Sequence, residues 1–266
     1  MIKLSIVILN FNTKRLTINC VNSIYKSKPR VGFEVVVVDN GSTDGTVEAL
    51  RKLKFKNFRI IENKKNLGFS KGNNAGIRKA TGKYILLLNS DTIVKEHSID
   101  RLYEFAAETT GAGVVGARLL NKDGSVQKSV FRFPTVWRAV KEYWFGIKNA
   151  YTNYAPKTKK PTKVEAVVGA AFLITPQALK KVGLLDESYF MYFEDLDYCR
   201  RVKNSDLNVY YLPEAEIVHL HGQSGRKLIT KDNQWRRLVE GSKRFNGYAK
   251  HYLLHLILWF GQKLRE

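Results

Sequence analysis

Continuous apolar runs at Ile6–Leu9, Val35–Val38 and Ile85–Leu88, with a shorter one at Arg59–Ile61, constrain the fold of this chain most. They do not alternate with polar residues. A strand covered on both faces reads this way, because each side of the pleat needs an apolar neighbour. Between the runs lie Arg15–Ser27, Thr43–Leu53 and Lys71–Ala80, each of helical length. This alternation predicts an α/β fold: a mostly parallel sheet with helices on both faces and right-handed crossovers. A helix near Ser98–Glu108 and a strand at Gly113–Leu119 continue the pattern. The second half is less regular. It suggests a buried strand at Ala166–Ile174, a turn at Thr175-Pro176 with a short helix, and short strands at Val209–Leu212 and Glu216–His219. The C-terminus reads as helical, and no internal repeat is visible.

Composition narrows the function classes. The 266 residues suit one large domain or two small ones. Lys and Arg number 45 against 24 Asp and Glu, a net charge of +21 that calls for an anionic partner. Cys20 and Cys199 are the only cysteines, which excludes a disulfide framework and a four-cysteine zinc site and suits a reducing compartment. Met1–Leu4 leads directly into the first strand, without the apolar region of about 7–15 residues that a signal peptide carries. No apolar run reaches the roughly 18 residues of a membrane span. The expectation is a cytoplasmic protein.

Polar groups gather where apolar runs end. Val38 is followed by Asp39-Asn40-Gly41-Ser42-Thr43-Asp44-Gly45-Thr46. Ligands of open α/β sheets bind at the carboxyl ends of strands. Asp39 could there accept a hydrogen bond from a base N–H or a ribose hydroxyl; the plainer alternative is turn chemistry, with Asp44 or Thr43 as a helix N-cap. Leu88 is followed by Asn89-Ser90-Asp91. Asp91 offers a hard oxygen suited to Mg²⁺ or Mn²⁺, or else caps a following helix. Asn66–Gly76 crowds glycines and asparagines, either to present backbone N–H groups to a phosphate or as a solvated loop. Tyr189–Phe193 abuts Glu194, Asp195 and Asp197. Aromatic neighbours would desolvate these carboxylates and raise their basicity; in a helix Glu194 and Asp197 share a face while Asp195 points elsewhere. The alternative is acidic residues at a helix N-terminus. His219 follows a short strand and could complete a metal site with Asp91, and His219 and His221 would share a strand face.

In order, type and spacing, these segments resemble family 2 glycosyltransferases, inverting enzymes of the GT-A fold. The nearest pattern is the rhamnosyltransferase-like branch that builds bacterial surface polysaccharides. Asn10-Phe11-Asn12, Asp39–Thr46, Asn66-Leu67-Gly68-Phe69, Asn89-Ser90-Asp91, Gly169-Ala170-Ala171 and Phe193–Asp197 carry the resemblance, which spans about Ser5 to Ser224. It implies a nucleoside diphosphate sugar donor, with dTDP or UDP favoured, and a glycan or lipid-linked acceptor. It places Asn10, Asn12, Asp39, Gly68, Asn73, Asn89 and Ser90 on the donor side. Asp91 matches the last carboxylate of the family's metal-binding Asp-x-Asp motif, His219 a histidine near the metal, and Asp195 the catalytic base. Glu194, Asp197 and His221 are acceptor-side candidates. Asn89 departs from the family pattern, since many relatives carry Asp there; one direct carboxylate is left to hold Mg²⁺ or Mn²⁺. His221 is a second departure, where a small residue is commoner, and it could do the work of His219.

The resemblance divides the chain into a glycosyltransferase domain over 1–225 and a C-terminal helical region over 226–266. Within the first, 1–120 forms the nucleotide-sugar half and 121–225 the acceptor-side half. Asn121–Lys163 holds ten Lys/Arg against two Asp/Glu, interleaved with aromatics. It reads as a mobile loop meeting an anionic lipid-linked acceptor, as a nucleic-acid surface, or as a solubilising face; no nucleic-acid motif supports the second reading. Tyr252–Phe260 is apolar except for His255 and is flanked by Lys250, Lys263 and Arg265. It suits an interfacial helix on the anionic inner face of the cell membrane, with a core helix or a homodimer contact as alternatives. Two other function classes stay in view. A nucleotidyltransferase would need a basic phosphate-binding signature near the N-terminus, which Asn10-Phe11-Asn12 is not. A non-catalytic nucleotide-sugar or nucleic-acid binding module would bind without turnover.

Overall fold

A computed structural model describes residues 1–220 and 231–263. His221 therefore lies outside the described residues. The first strands are β1 (Leu4–Asn10), β2 (Phe33–Asp39), β3 (Phe58–Glu62), β4 (Tyr84–Asn89), β5 (Thr92–Val94) and β6 (Ala112–Leu120). They are followed by β7 (Val130–Phe131), β8 (Thr162–Val164), β9 (Ala166–Val167), β10 (Ala171–Ile174) and β11 (Asn208–His219). Nine strands form one sheet in the order β3-β2-β1-β4-β10-β6-β11-β5, with β8 also on β11. β1, β2, β3, β4, β6 and β11 run in one direction, and β10, β5 and β8 oppose them. The expected mostly parallel α/β sheet is present, and the carboxyl ends of its parallel strands share one edge.

The continuous apolar runs exist because helices cover both sides of the sheet. Leu4, Ile6 and Ile8 of β1, with Val35 and Val37 of β2, face α1 (Lys14–Lys26) through Cys20, Val21 and Ile24. Val7, Val36 and Val38 face the other way, toward Ile77 of α3 (Phe69–Lys79). α2 (Thr46–Arg51) and α4 (Ser98–Glu108) complete the first half. Each fully buried Val, Leu or Ile contributes about 1.5–3 kcal/mol.

Three elements differ from expectation. Ala166–Ile174 is two strands, because the chain turns at Val168-Gly169-Ala170; there Val168 N–H donates to Ser129 and Asn89 N–H donates to Ala170. Val209–His219 is one strand, with a register shift between Leu212 and Glu216. Pro213 lies in that shift and has no N–H to give the ladder, so the bulge absorbs it. The basic stretch contains α5 (Val136–Tyr143), whose Thr135 hydroxyl accepts from Arg138 N–H. Arg138 also pairs with Glu165 at 2.5 Å, and Glu142 accepts from the Tyr151 and Thr152 backbone.

α6 (Pro176–Val182) and α7 (Glu194–Lys203) pack on the second half of the chain. α8 (Lys231–Asn246) docks there through buried Phe245: the Arg200 guanidinium lies 3.8 Å from the Phe245 ring centre and donates to its carbonyl at 2.7 Å. α9 (Tyr248–Lys263) follows after Gly247, at φ +77°, and packs Leu254 and Ile257 on Ala139 of α5.

Candidate active site

Three neighbouring parallel strands end in Asn10, Asp39 and Asn89. Asn10 and Asp39 are register partners, and Leu9 is the partner of Asn89. Asn10 Nδ2 donates to Asp39 Oδ1 at 2.6 Å and to the Ser42 hydroxyl at 2.9 Å. Asp39 Oδ2 accepts from the Gly41 and Ser42 N–H groups. The buried carboxylate thus spends three of its roughly four acceptor positions, two on its own loop and one on Asn10, leaving about one for a ligand. Asn12, at φ +52°, accepts from Thr43 N–H, while its own N–H donates to Ser42. Turn chemistry is therefore present at Asp39, and it orients the carboxylate.

The Gly68 turn lies beside this loop. The Asn40 side chain donates to Asn66 Oδ1 and to the Gly68 carbonyl, and accepts from Asn63. Gly68 has φ +84°, and a Cβ there would lie 2.5 Å from the Phe190 carbonyl oxygen. Only glycine fits such an approach. Phe69 N–H donates to that same carbonyl at 2.6 Å, so the turn is stitched to the segment before Glu194. Gly72 and Gly76 lie inside α3, where added Cβ atoms would strike Leu9 and Val7 at 2.4 Å. They serve helix–sheet contact rather than a phosphate loop. Asn73 is buried and caps the Phe69 carbonyl within α3.

Asn89-Ser90-Asp91 meets His219 across the sheet edge. A three-residue strand, β5, follows Asp91, so the helix-cap reading of Asp91 does not apply. Asp91 Oδ1 lies 3.4 Å from His219 Nε2, and Asn89 Nδ2 lies 3.4 Å from the same nitrogen. Both Asp91 and His219 are buried, and Leu220 N–H donates to the Asp91 carbonyl. The Ser90 hydroxyl is 3.1 Å from that of Thr13, which donates to Asn10. Gln127 holds His219 at two points: Nε2 donates to its carbonyl at 2.6 Å, and Oε1 is 3.0 Å from Nδ1. Among the described residues no group of three or more His, Cys, Asp or Glu could cage a metal. One carboxylate and one imidazole, close enough to share an ion, do fit a divalent cation that keeps waters and binds substrate phosphates.

The acidic cluster opens α7. Tyr192 (φ +74°) and Phe193 (φ +71°) precede it in left-handed backbone, at about 1–2 kcal/mol each, and turn the helix start toward the site. Asp195 Oδ2 accepts from Gly169 N–H at 3.1 Å, and Oδ1 accepts from Leu196 N–H at 2.8 Å. The Gly169-Ala170 turn thereby connects Asp195 to the end of β4, since Asn89 donates to Ala170. Burial pushes the Asp195 carboxyl above its ordinary range, and the two backbone donors partly offset this. Glu194 is pushed well above its range, first by burial and then by the Asp195 charge. Its Oε2 has no hydrogen-bond partner among the described residues. Asp197 accepts from Arg201 at 2.8 Å and Arg200 at 3.3 Å, while Arg201 also ties down the Val182 and Leu184 carbonyls. It anchors α7.

Most sequence-derived positions thus gather at one sheet edge. Asn73 and Asp197 instead hold helices in place. Sequence reasoning missed Gln127, Thr13, Ser42 and Asn40. Ser42 and Asn40 stood within a motif already singled out; Gln127 carried no local signal, being 92 residues from His219.

Comparison with known proteins gives the family and the fold. Residues 5–183 match the family described as Glycosyl transferase family 2. Over 202 residues the chain is 30% identical to the N-acetylglucosaminyl-diphospho-decaprenol L-rhamnosyltransferase of Mycobacterium tuberculosis, covering 70% of this chain and 66% of that protein. It is 27% identical over 221 residues to the low-salt glycan biosynthesis hexosyltransferase Agl10 of Haloferax volcanii, covering 81% and 66%. The chain thus spans about two thirds of the length of these curated relatives. The crystal structure of GalNAc-T7 with UDP, GalNAc and Mn²⁺ superposes with a TM-score of 0.69 at 15% identity, covering 92% of this chain and 47% of that one, and shares the fold. The chain is similar to a rhamnosyltransferase in sequence and belongs to glycosyl transferase family 2.

Proposed function

We propose that this chain transfers a hexose or 6-deoxyhexose from a nucleoside diphosphate sugar to a lipid-linked or glycan acceptor, with inversion, in cell-surface glycan synthesis. One observation carries the reading: the Gly169-Ala170 turn binds both Asp195 and the strand end that leads into Asp91, beside the Asp39 loop. This supports reading Asp195 as a desolvated carboxylate acting beside the donor.

In this reading Asp39, backed by Asn10 and the Ser42 loop, accepts a hydrogen bond from the donor nucleoside. Asn12, Gly68, Asn89 and Ser90 shape the donor pocket around it. Asp91 and His219 would hold Mg²⁺ or Mn²⁺, whose positive charge stabilises the departing diphosphate. Asp195 takes the proton from the acceptor hydroxyl as that oxygen attacks the anomeric carbon from the face opposite the diphosphate. The raised affinity of Asp195 for a proton suits a base, and the Gly169 and Leu196 N–H groups fix its orientation. The name of the rhamnosyltransferase relative supports a lipid-linked diphosphate acceptor; a dTDP- or UDP-linked donor is part of the proposal.

α9 supports action at an anionic membrane surface. One stripe, with Leu254, Ile257 and Gly261, is buried, while Tyr252, Leu253, Leu256, Trp259 and Phe260 form an exposed one. Trp137, Trp144 and Phe145, on and just after α5, add exposed aromatics beside it. Lys141 and Lys263 lie over Trp137 and Trp259 at 5.3 and 4.2 Å from the ring centres. Aromatics with basic neighbours suit the headgroup layer. No helix among the described residues is long and apolar enough to cross a membrane.

The test is product formation from dTDP-rhamnose, UDP-sugars and GDP-sugars on a prenyl diphosphate-linked acceptor, with and without Mn²⁺. Transfer from one nucleotide class with inverted product stereochemistry is expected. Retained stereochemistry, or no binding and no transfer with any donor, would overturn the proposal.

A further inference from the structure

A cavity of about 530 Å³ lies between the segment before Glu194 and the α8–α9 junction. The donor-side residues described above do not line it. Three cations do: Arg237, Lys243 and Arg244. Each lies near an aromatic ring, and the Arg244 charge also acts on Asp186 outside the lining. The Arg237 guanidinium is 4.4 Å from the centre of Phe190, Lys243 Nζ is 5.2 Å from that of Tyr252, and Arg244 is 5.9 Å from that of Tyr189. None of the three forms an ion pair among the described residues. Glu240 is the one carboxylate in the described lining, so the cavity carries a net charge of 3 − 1 = +2.

Its position is as informative as its charge. Phe190 belongs to both sites: its carbonyl accepts from Phe69 beside the Gly68 turn, and its ring lines the cavity. Four residues later α7 opens on Glu194 and Asp195. At the far side, Tyr248 lines the cavity and begins α9, whose apolar stripe is exposed. A Cβ on Gly241 would lie 2.9 Å from the Phe193 ring, so α8 packs closely on the same segment. The cavity thus borders, through Phe190, the segment leading into Glu194 and Asp195 and, through Tyr248, the start of α9, with positive charge and aromatic walls.

We propose that this cavity seats the phosphate or diphosphate group of the acceptor, so that the acceptor sugar reaches Asp195 and its lipid chain runs toward α9. The inference rests on the transferase reading and names the acceptor's anionic group as what the site recognises. Guanidinium and ammonium groups held over aromatic faces suit an oxyanion, and a diphosphate matches the net charge.

The test uses farnesyl diphosphate, farnesol and inorganic pyrophosphate as calorimetric probes without divalent metal. Proteins are the wild type, the triple variant Arg237→Gln/Lys243→Gln/Arg244→Gln, the charge-keeping pair Arg237→Lys/Arg244→Lys, and Asp91→Ala. The triple variant should bind farnesyl diphosphate at least about tenfold more weakly, with UDP binding and melting temperature retained. The charge-keeping pair should recover most of the affinity, farnesol should bind weakly to all, and Asp91→Ala should bind farnesyl diphosphate like the wild type. Equal affinity in the triple variant overturns the proposal, as does loss in Asp91→Ala instead. A second arm compares phosphatidylglycerol with phosphatidylcholine vesicles. If the triple variant loses only phosphatidylglycerol binding, the cavity is a headgroup site and the proposal fails. Charge-dependent prenyl diphosphate binding without sugar transfer from any donor would leave the cavity assignment standing and remove the transferase reading.

Discussion

Replacing Glu194 with Gln should stabilise the protein at neutral pH and leave it nearly unchanged in acid. The side chain is buried, its Oε2 has no partner among the described residues, and Asp195 is its charged neighbour. Its folded-state pKa is raised. Below the unfolded value of about 4.5 the group is protonated in both states and imposes no penalty. As pH rises toward the folded value, the unfolded chain releases a proton that the folded chain retains, and stability falls by up to about 1.4 kcal/mol per pH unit. Above the folded value the penalty is constant. Gln keeps the shape and never ionises. Removing about 1.4 kcal/mol of ionisation penalty, against an unfolding entropy of about 0.56 kcal/mol/K for a 266-residue chain, raises Tm by about 2–3 °C for each pH unit of the lift. Thermal and urea unfolding of both proteins at pH 4.5 and pH 8 measures it. A stabilisation at pH 8 that vanishes at the lower pH is expected. An effect equal at both pH values, or a Gln variant less stable at pH 8, would refute the reasoning.

Gly68→Ala should lose about 1–3 kcal/mol more in urea unfolding than Gly183→Ala. Both positions have positive φ, but a Cβ at Gly68 meets Phe190 while one at Gly183 meets nothing within 4 Å; equal losses would show that the close approach is not the cause. Asp91→Ala should weaken Mn²⁺-dependent nucleotide binding at least about tenfold in a fluorescence titration, and an unchanged metal response would count against Asp91 as a ligand. Gln127→Leu removes both Gln127 contacts to His219 and should lower Mn²⁺ affinity by about 10–100-fold while metal-free nucleotide binding holds. Cys20 and Cys199 should resist alkylation in the folded protein, because both are buried and burial lifts the Cys20 thiol to about 12; rapid labelling at pH 8 would contradict that environment.

The first half of the fold was legible because its strands are covered on both sides, so Val35–Val38 and Ile85–Leu88 had to be continuously apolar. The carboxyl-end positions Asp39 and Asp91 followed from the same logic. The second half was harder, because its determinants are distant in sequence. α5 looked like part of a basic loop, since its apolar partners Leu254 and Ile257 lie more than 100 residues away. The sequence suggests two short strands, Val209–Leu212 and Glu216–His219, where the sheet keeps one strand and bulges around Pro213. Gly72 and Gly76 resembled a ligand loop, yet their missing side chains make room for Leu9 and Val7. Asp197 resembled its neighbours in charge, and only the positions of Arg200 and Arg201 separate its anchoring role from Asp195.

The most direct test is the turnover of Asp195→Asn, measured beside its donor affinity. Asparagine can still accept one backbone hydrogen bond but cannot take a proton at neutral pH. The account predicts a fall in kcat of about 10²–10⁴-fold, with donor binding within about threefold of wild type. In the wild type, activity should rise with pH as Asp195 ionises, with a midpoint above the ordinary aspartate range. Turnover close to wild type in Asp195→Asn would contradict the account.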